Sequence, residues 1–195
     1  MEEIEVKFLN VDVPALEAKL AALGAQKAGE YFYRRRVFDY PDYRLNSAGA
    51  WLRLRDEGDK VTLGFKQRLG MTSQDGSSND AGMREVEIVV SDFDKAAELI
   101  LALGFIEKFY QENRRTRWIK DGVEFDIDTW PELEPYLEIE ASSWEKIDEA
   151  VTMLDLNPED KKVFSTHQIY KLKGINELDY QRIAFDELIK KEISN

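Results

Sequence analysis

The feature that most constrains this chain is an alternation of acidic and apolar residues that occurs three times. Glu3, Glu5 and Lys7 share one side of an extended strand, with Ile4, Val6 and Phe8 on the other, because successive side chains along a strand point to opposite faces. The same Glu-x-Glu pattern returns at Glu85 and Glu87 and again at Glu138 and Glu140, each time ahead of a helical pattern. One such strand reads as half-exposed, with its charges in water. Three of them predict a closed sheet whose inner side is the charged one. The alternation belongs to an internal repeat: EVKFLNVDVPALEAKLAALG is similar to EVEIVVSDFDKAAELILALG, and LEIEASSWEKIDEAVTMLDL is a looser third copy.

The intervening chain supplies the other strands. Tyr31 to Tyr40 is an aromatic-rich strand carrying Arg34, Arg35 and Arg36 and broken by Pro41; parity does not choose which arginines join the acidic face. Trp51-Leu52-Arg53-Leu54-Arg55 alternates strictly, turns at Glu57-Gly58-Asp59, and returns as Val61 to Gln67 with Lys66 on its polar side. Gly70 to Gly82 is polar and without periodicity, which predicts a mobile loop. Arg84 to Val90 is the fifth strand. Asp121-Gly122 is a two-residue hairpin turn that places Arg117 opposite Asp126 and Arg115 opposite Asp128, each pair on one face. Tyr136 to Ala141 is the eighth strand.

Helices are expected to start at Asp12, Asp92 and Ser142 or Ser143, and the chain beyond Pro158 reads as helical. Asn46 to Gly49 reads as a turn. The four tryptophans, Trp51, Trp118, Trp130 and Trp144, are assigned to outer packing, and His167 to a structural role. The expectation is one α+β domain over residues 1–195. Its eight-stranded antiparallel barrel spans about residues 1–142 with two inserted helices, and its C-terminal helices about residues 143–195.

A barrel interior holding this many ionisable groups is unfavourable if dry and unpaired. It is sensible if it is wet and binds charge. Carboxylates without Cys or His in their company select a hard cation such as Mg²⁺ or Mn²⁺, and fixed arginines and lysines select phosphate oxygens. A bridging cation plus a basic array is what a polyphosphate chain requires. Composition narrows the partners. The net charge of -12 disfavours nucleic acid and anionic membranes, and the absence of cysteine excludes disulfides and thiolate chemistry. No apolar run reaches membrane-spanning length and no signal peptide is visible, so a cytoplasmic monomer or homodimer acting on a small molecule is expected.

These residues resemble the CYTH proteins, the triphosphate tunnel metalloenzymes, which include class IV adenylyl cyclases, thiamine triphosphatases and inorganic triphosphatases. Glu3, Glu5 and Lys7 look like the family's N-terminal Glu-x-Glu-x-Lys, and Leu52-Arg53-Leu54-Arg55 like its Leu-Arg-x-Arg strand. Lys66, Arg84-Glu85, Arg115, Asp126, Asp128, Glu138 and Glu140 match further positions, in order, over about residues 1–172. The resemblance implies an eight-stranded tunnel. It implies a metal on Glu3, Glu5, Asp126, Glu138 and Glu140. It implies a triphosphate held by Lys7, Arg53, Arg55, Lys66, Arg115 and Arg117, and catalytic roles for Glu5, Lys7, Glu85 and Asp126. A C-terminal lysine near the tunnel mouth is also implied, with Lys161, Lys162 and Lys171 as candidates. Hydrolysis of tripolyphosphate, a nucleoside triphosphate or thiamine triphosphate is the favoured activity. Cyclisation of ATP is the alternative, and a non-catalytic polyphosphate or nucleotide binder the second.

Overall fold

The computed structural model describes residues 4–68 and 83–191, so Glu3 and the Gly70–Gly82 segment lie outside the described residues. The elements begin with β1 (Ile4–Phe8), α1 (Val13–Ala22), β2 (Gln26–Asp39), α2 (Arg44–Ser47) and β3 (Ala50–Asp56). They continue with β4 (Val61–Arg68), β5 (Met83–Val90), α3 (Phe93–Ala102), β6 (Ile106–Lys120) and β7 (Val123–Thr129). The chain closes with β8 (Tyr136–Ala141), α4 (Trp144–Met153), α5 (Thr166–Leu172), β9 (Tyr180–Ile183) and β10 (Leu188–Lys190). The class is α+β, on a large and mainly antiparallel sheet with strand order β1-β8-β7-β6-β2-β3-β4-β5. Two compact units are present: Met1–Tyr31 with Asn113–Glu177, and Phe32–Glu112 with Leu178–Asn195. The long strands β2 and β6 contribute residues to both.

In the first unit, β1 pairs with β8, β8 with β7 and β7 with β6, all antiparallel. The β6–β7 register is the one the turn dictates, with Lys120 opposite Val123. Asp121 and Gly122 both take positive φ, 51° and 74°, as a tight hairpin turn matched to the strand twist demands. One face of these strands is apolar. Val6, Phe8, Trp118, Phe125, Ile127, Leu137 and Ile139 pack under Leu16 and Leu20 of α1 and Ile147, Val151 and Leu154 of α4. Each such buried aliphatic side chain contributes about 1.5–3 kcal/mol. The caps read from sequence are in place: Asp12 accepts from Ala15 N at 3.0 Å, and Ser143 from Lys146 N at 3.4 Å. Ser165 and Gln168 form a capping box on α5, and Tyr170 donates from its buried hydroxyl to the Pro131 carbonyl at 2.9 Å. His167 faces Glu177 at 2.9 Å. After α4 the chain returns to β1, where Lys7 and Lys162 exchange backbone hydrogen bonds of 2.7 and 3.0 Å.

In the second unit, β2, β3, β4 and β5 pair antiparallel in sequence order. Phe93, Ala97 and Ile100 of α3 cover Phe38 and Leu54, and Asp92 caps the helix by accepting from Lys95 N at 2.9 Å. The expected turn at residues 46–49 overlaps the end of a short helix, α2. The buried Asp39 carboxylate organises it by accepting from the backbone N–H groups of Tyr40, Leu45 and Asn46.

The C-terminal reading needs correction. Residues 143–195 are not helical throughout: beyond α5 the chain forms the β9–β10 hairpin, with β9 parallel to β6 at Tyr110 and Gln111. Ile183 and Ala184 bury against the sheet rather than along a helix face. The Glu112 carboxylate, itself buried, fixes the hairpin by accepting from Phe185 N at 3.1 Å and the Tyr110 hydroxyl at 2.7 Å.

Candidate functional site

Opposite the apolar face that β1, β8, β7 and β6 place under α1 and α4, the same strands direct Glu5, Lys7, Arg115, Arg117, Glu124, Asp126, Asp128, Glu138 and Glu140 to the other side of the sheet. Register arranges them in rows. Lys7, Glu138, Asp126 and Arg117 form one, Glu5, Glu140 and Glu124 the next, and Arg115 stands opposite Asp128. Lys7, Glu138, Asp126 and Asp128 are buried, between 0% and 6% exposed.

All four are ion-paired, and burial still pushes the Asp128 carboxyl up, with Arg115 opposing it. Arg115 grips Asp128 through two nitrogens at 2.6 and 2.8 Å, and also reaches Asp126 at 2.5 Å and Glu138 at 3.1 Å. Arg117 makes a matching two-nitrogen contact with Asp126, at 2.6 and 2.8 Å, and meets Glu124 at 2.7 Å. Lys7 bonds Glu138 at 3.0 Å and also contacts Glu5. Burial opposes the Arg115 charge, but Asp128, Glu138 and Asp126 outweigh it and hold the guanidinium well above its ordinary value. Burial opposes the Glu138 charge too, yet Arg115 and Lys7 hold its carboxyl below the usual range.

One group on this face is arranged for a cation. Glu5, Glu138 and Glu140 each offer a carboxylate oxygen within 4.8 Å of the other two. Hard dications bind oxygens at about 2.0–2.6 Å, so donors converging at this spacing fit one. Asp126 is not in this group, and both of its oxygens accept from guanidinium groups. Arg117 pairs with Asp126 and Glu124, and Asp128 pairs with Arg115.

The second unit presents a different charged face. Cross-strand rows read Arg35, Arg55, Thr62; then Val37, Arg53, Gly64, Glu87; then Trp51, Lys66, Glu85. The β2 arginines are thereby sorted. Arg35 lies with Arg53 and Arg55. Arg34 and Arg36 lie on the α3 side, where Arg34 pairs with Asp56 at 2.6 Å and Arg36 with Glu107 at 3.0 Å and Asp94 at 3.2 Å. Arg55 bonds Glu57 at 2.6 Å and Lys66 bonds Glu85 at 2.9 Å. Arg53 forms no ion pair within 4.0 Å among the described residues. Burial lowers its value to about 10, with the repulsion of Arg55 adding to the effect. Gly64 sits between Arg53 and Glu87, and a Cβ there would meet Glu87 Oε2 at 3.3 Å. Trp51, expected in outer packing, shares the Arg53 face and is only half-buried. Its parity with Arg53 and Arg55 was the available signal.

The C-terminal lysines separate as well. Lys161 pairs with Asp148 on α4 at 2.7 Å, and Lys171 lies on α5. Lys162 is bridged to Lys7, and directly paired residues point to one side.

A profile of the CYTH domain matches residues 1–183. A Methanocaldococcus jannaschii protein, named as a proposed adenylate cyclase, is 24% identical over 192 residues, covering 96% of this chain and 98% of that one. A Pyrococcus horikoshii structure shares 23% identity and covers 86% of this chain and 98% of its own, with a TM-score of 0.64. A Hippeastrum structure is 15% identical, with a TM-score of 0.62 over 91% of this chain and 98% of its own; it is described as a proposed adenylyl cyclase with a dominant triphosphatase activity. No helix among the described residues is long and apolar enough to cross a membrane.

Proposed function

The chain belongs to the CYTH family, whose members are metal-dependent enzymes of triphosphate substrates, and we propose that it is a divalent-metal-dependent triphosphatase. In this reading the charged sheet faces bind metal and phosphate oxygens. The observation that carries it is the convergence of Glu5, Glu138 and Glu140, an all-oxygen donor set whose spacing fits Mg²⁺ or Mn²⁺. Such a cation, when bound, supplies positive charge to phosphate oxygens.

The residues do the rest. Arg53, Arg55 and Lys66 bind the phosphate chain, with Lys7, Arg115 and Arg117 on the carboxylate-rich face. Arg53 is suited to an anion because it makes no ion pair within 4.0 Å among the described residues and burial disfavours its charge, although Glu87, Glu85 and Glu57 partly offset this from further away. Asp126 holds both guanidiniums in place, a positioning role in which its oxygens remain with the arginines. Glu85, beside Lys66, is the candidate to orient water onto the terminal phosphorus, where one P–O bond forms as the bond to the diphosphate leaving group breaks.

The second reading, cyclisation of ATP, draws on Trp51, an aromatic plane in the same row as Lys66 that can stack on a base. It also draws on the relatives named as adenylate cyclases. One assay separates the readings. Phosphate release from tripolyphosphate, ATP and thiamine triphosphate is measured with Mg²⁺ or Mn²⁺, alongside cyclic AMP formation from ATP. Release of phosphate without cyclic AMP is expected, with Glu5→Gln slower by about 10²-fold or more. Cyclic AMP as the main product overturns hydrolysis. Tight binding without turnover of any substrate makes the protein a binder.

A further inference from the structure

We propose that β10 is a self-pairing edge through which two copies of this chain join, their β10 strands running antiparallel about a two-fold axis at Ile189. The inference does not depend on the triphosphate reading. β10 is the outer strand of the C-terminal hairpin, and among the described residues it pairs with β9 alone. It lies past residue 183, where the match to the family profile ends. Leu188, Ile189 and Lys190 are all exposed, the two apolar ones at 41% and 40%. A strand edge with free peptide groups is a template for a further strand.

The direction of the peptide groups fixes the register. The Glu187 carbonyl accepts from Ala184 N at 3.0 Å, and Lys191 N donates to the Asp179 carbonyl at 2.8 Å, so both residues turn their peptide groups inward, toward the β9 side. Peptide direction alternates along a strand, so Leu188 and Lys190 turn theirs to the free edge. Pairing about Ile189 sets Leu188 of each copy opposite Lys190 of the other, and each such pair exchanges both of its N–H···O bonds. Pairing about Leu188 would instead bring the turn residue Asp186 opposite Lys190. The Ile189 register also matches the side chains. Glu187 of each copy meets Lys191 of the other on the face that carries Ile189, so the contact between the two Ile189 side chains has an ion pair on either side. Glu187 is half-exposed and steadied by Arg182 at 2.8 Å. Burial and then the nearby Lys108 pull the Lys191 ammonium below its ordinary value, with Asp179 opposing them, and a second copy's carboxylate offsets that pull. Lysine on an edge ordinarily repels another strand. Here the two-fold turns it toward an acid.

The test is sedimentation velocity of the intact chain from about 1 to 300 µM, where a small interface of this kind should give a dimer with a dissociation constant of about 10–100 µM. Lys190→Pro removes a donor that faces the free edge and spares the bonds to β9, so it should weaken the dimer about tenfold or more. Lys191→Glu sets like charges opposite Glu187 and should do the same, which keeps the test decisive if the proline variant does not fold. Glu187→Lys alone should also be monomeric. An equimolar mixture of Glu187→Lys and Lys191→Glu should dimerise as wild type does, because every crossing pair is again opposite in sign. A wild-type chain that stays monomeric throughout the range refutes the proposal. Dimers that survive both Lys190→Pro and Lys191→Glu use another surface and refute it too. A mixture that stays monomeric while wild type dimerises refutes the register.

Discussion

On the charged face of the first unit Lys7, Arg115 and Arg117 each have a carboxylate within 3.0 Å, whereas on that of the second Arg53 has no ion pair among the described residues. The first face is a finished network. Asp126 and Asp128 are sealed from water, and Arg115 touches three carboxylates at once. On the second, Arg55 pairs with Glu57 and Lys66 with Glu85, and Arg53 is the cation without an ion pair among the described residues. A buried network of matched ions fixes geometry but breaks badly when one member is lost. A partly buried cation without a paired carboxylate is stabilised by an anion. The contrast teaches that formal charge on a strand face does not by itself identify ligands: Asp126 accepts from two guanidiniums, while Glu140 converges with Glu5 and Glu138.

Substitutions can break this contrast. The largest effect is expected from Arg115→Met, which leaves Asp126, Asp128 and Glu138 buried without their shared cation. Urea unfolding should show a loss of about 3–5 kcal/mol. A loss below about 1 kcal/mol would mean that the network is not closed. Arg53→Met should act in the opposite direction. Removing a partly buried cation that lacks a paired carboxylate should raise stability by up to about 1 kcal/mol, while abolishing the thermal shift caused by tripolyphosphate. A destabilised Arg53→Met protein would show that Arg53 has a structural partner after all.

The smallest effect is one of pH. The Glu138 carboxyl lies lower in the folded chain than its ordinary value of about 4.3, so the folded state favours its ionised form. Its contribution is present in full above that ordinary value and is lost as pH falls through the depressed folded value. The urea midpoint should therefore decline on acidification from about pH 5 downward, less steeply in Glu138→Gln. Identical slopes would remove Glu138 from the acid response.

Much of this was legible in the chain, and for local reasons. Asp121-Gly122 permits one register, so the meetings of Arg117 with Asp126 and of Arg115 with Asp128 followed from counting. The three strand–helix repeats carry their own caps and faces, and α1, α3 and α4 start where Asp12, Asp92 and Ser143 place them. What was not legible depends on distant parts of the chain. Choosing Arg35 over Arg34 and Arg36 needs the β2–β3 register, which the connection across α2 does not encode by any short turn rule. The β9–β10 hairpin is held by Glu112, 73 positions away from Phe185, and its short strands carry no strong period. That Asp126 would be claimed by two arginines was foreshadowed by the pairing, but burial decided it.

The Lys7–Lys162 backbone bridge has a practical consequence. Two hydrogen bonds tie the signature lysine of the N-terminal strand to a segment beyond α4, so a shortened version ending near residue 156 would keep the metal-type carboxylates yet leave that strand's outer edge open. Bare edges recruit other strands. Trimming the tail to obtain a minimal enzyme is therefore the wrong economy, since it trades catalytic alignment for a protein that self-associates.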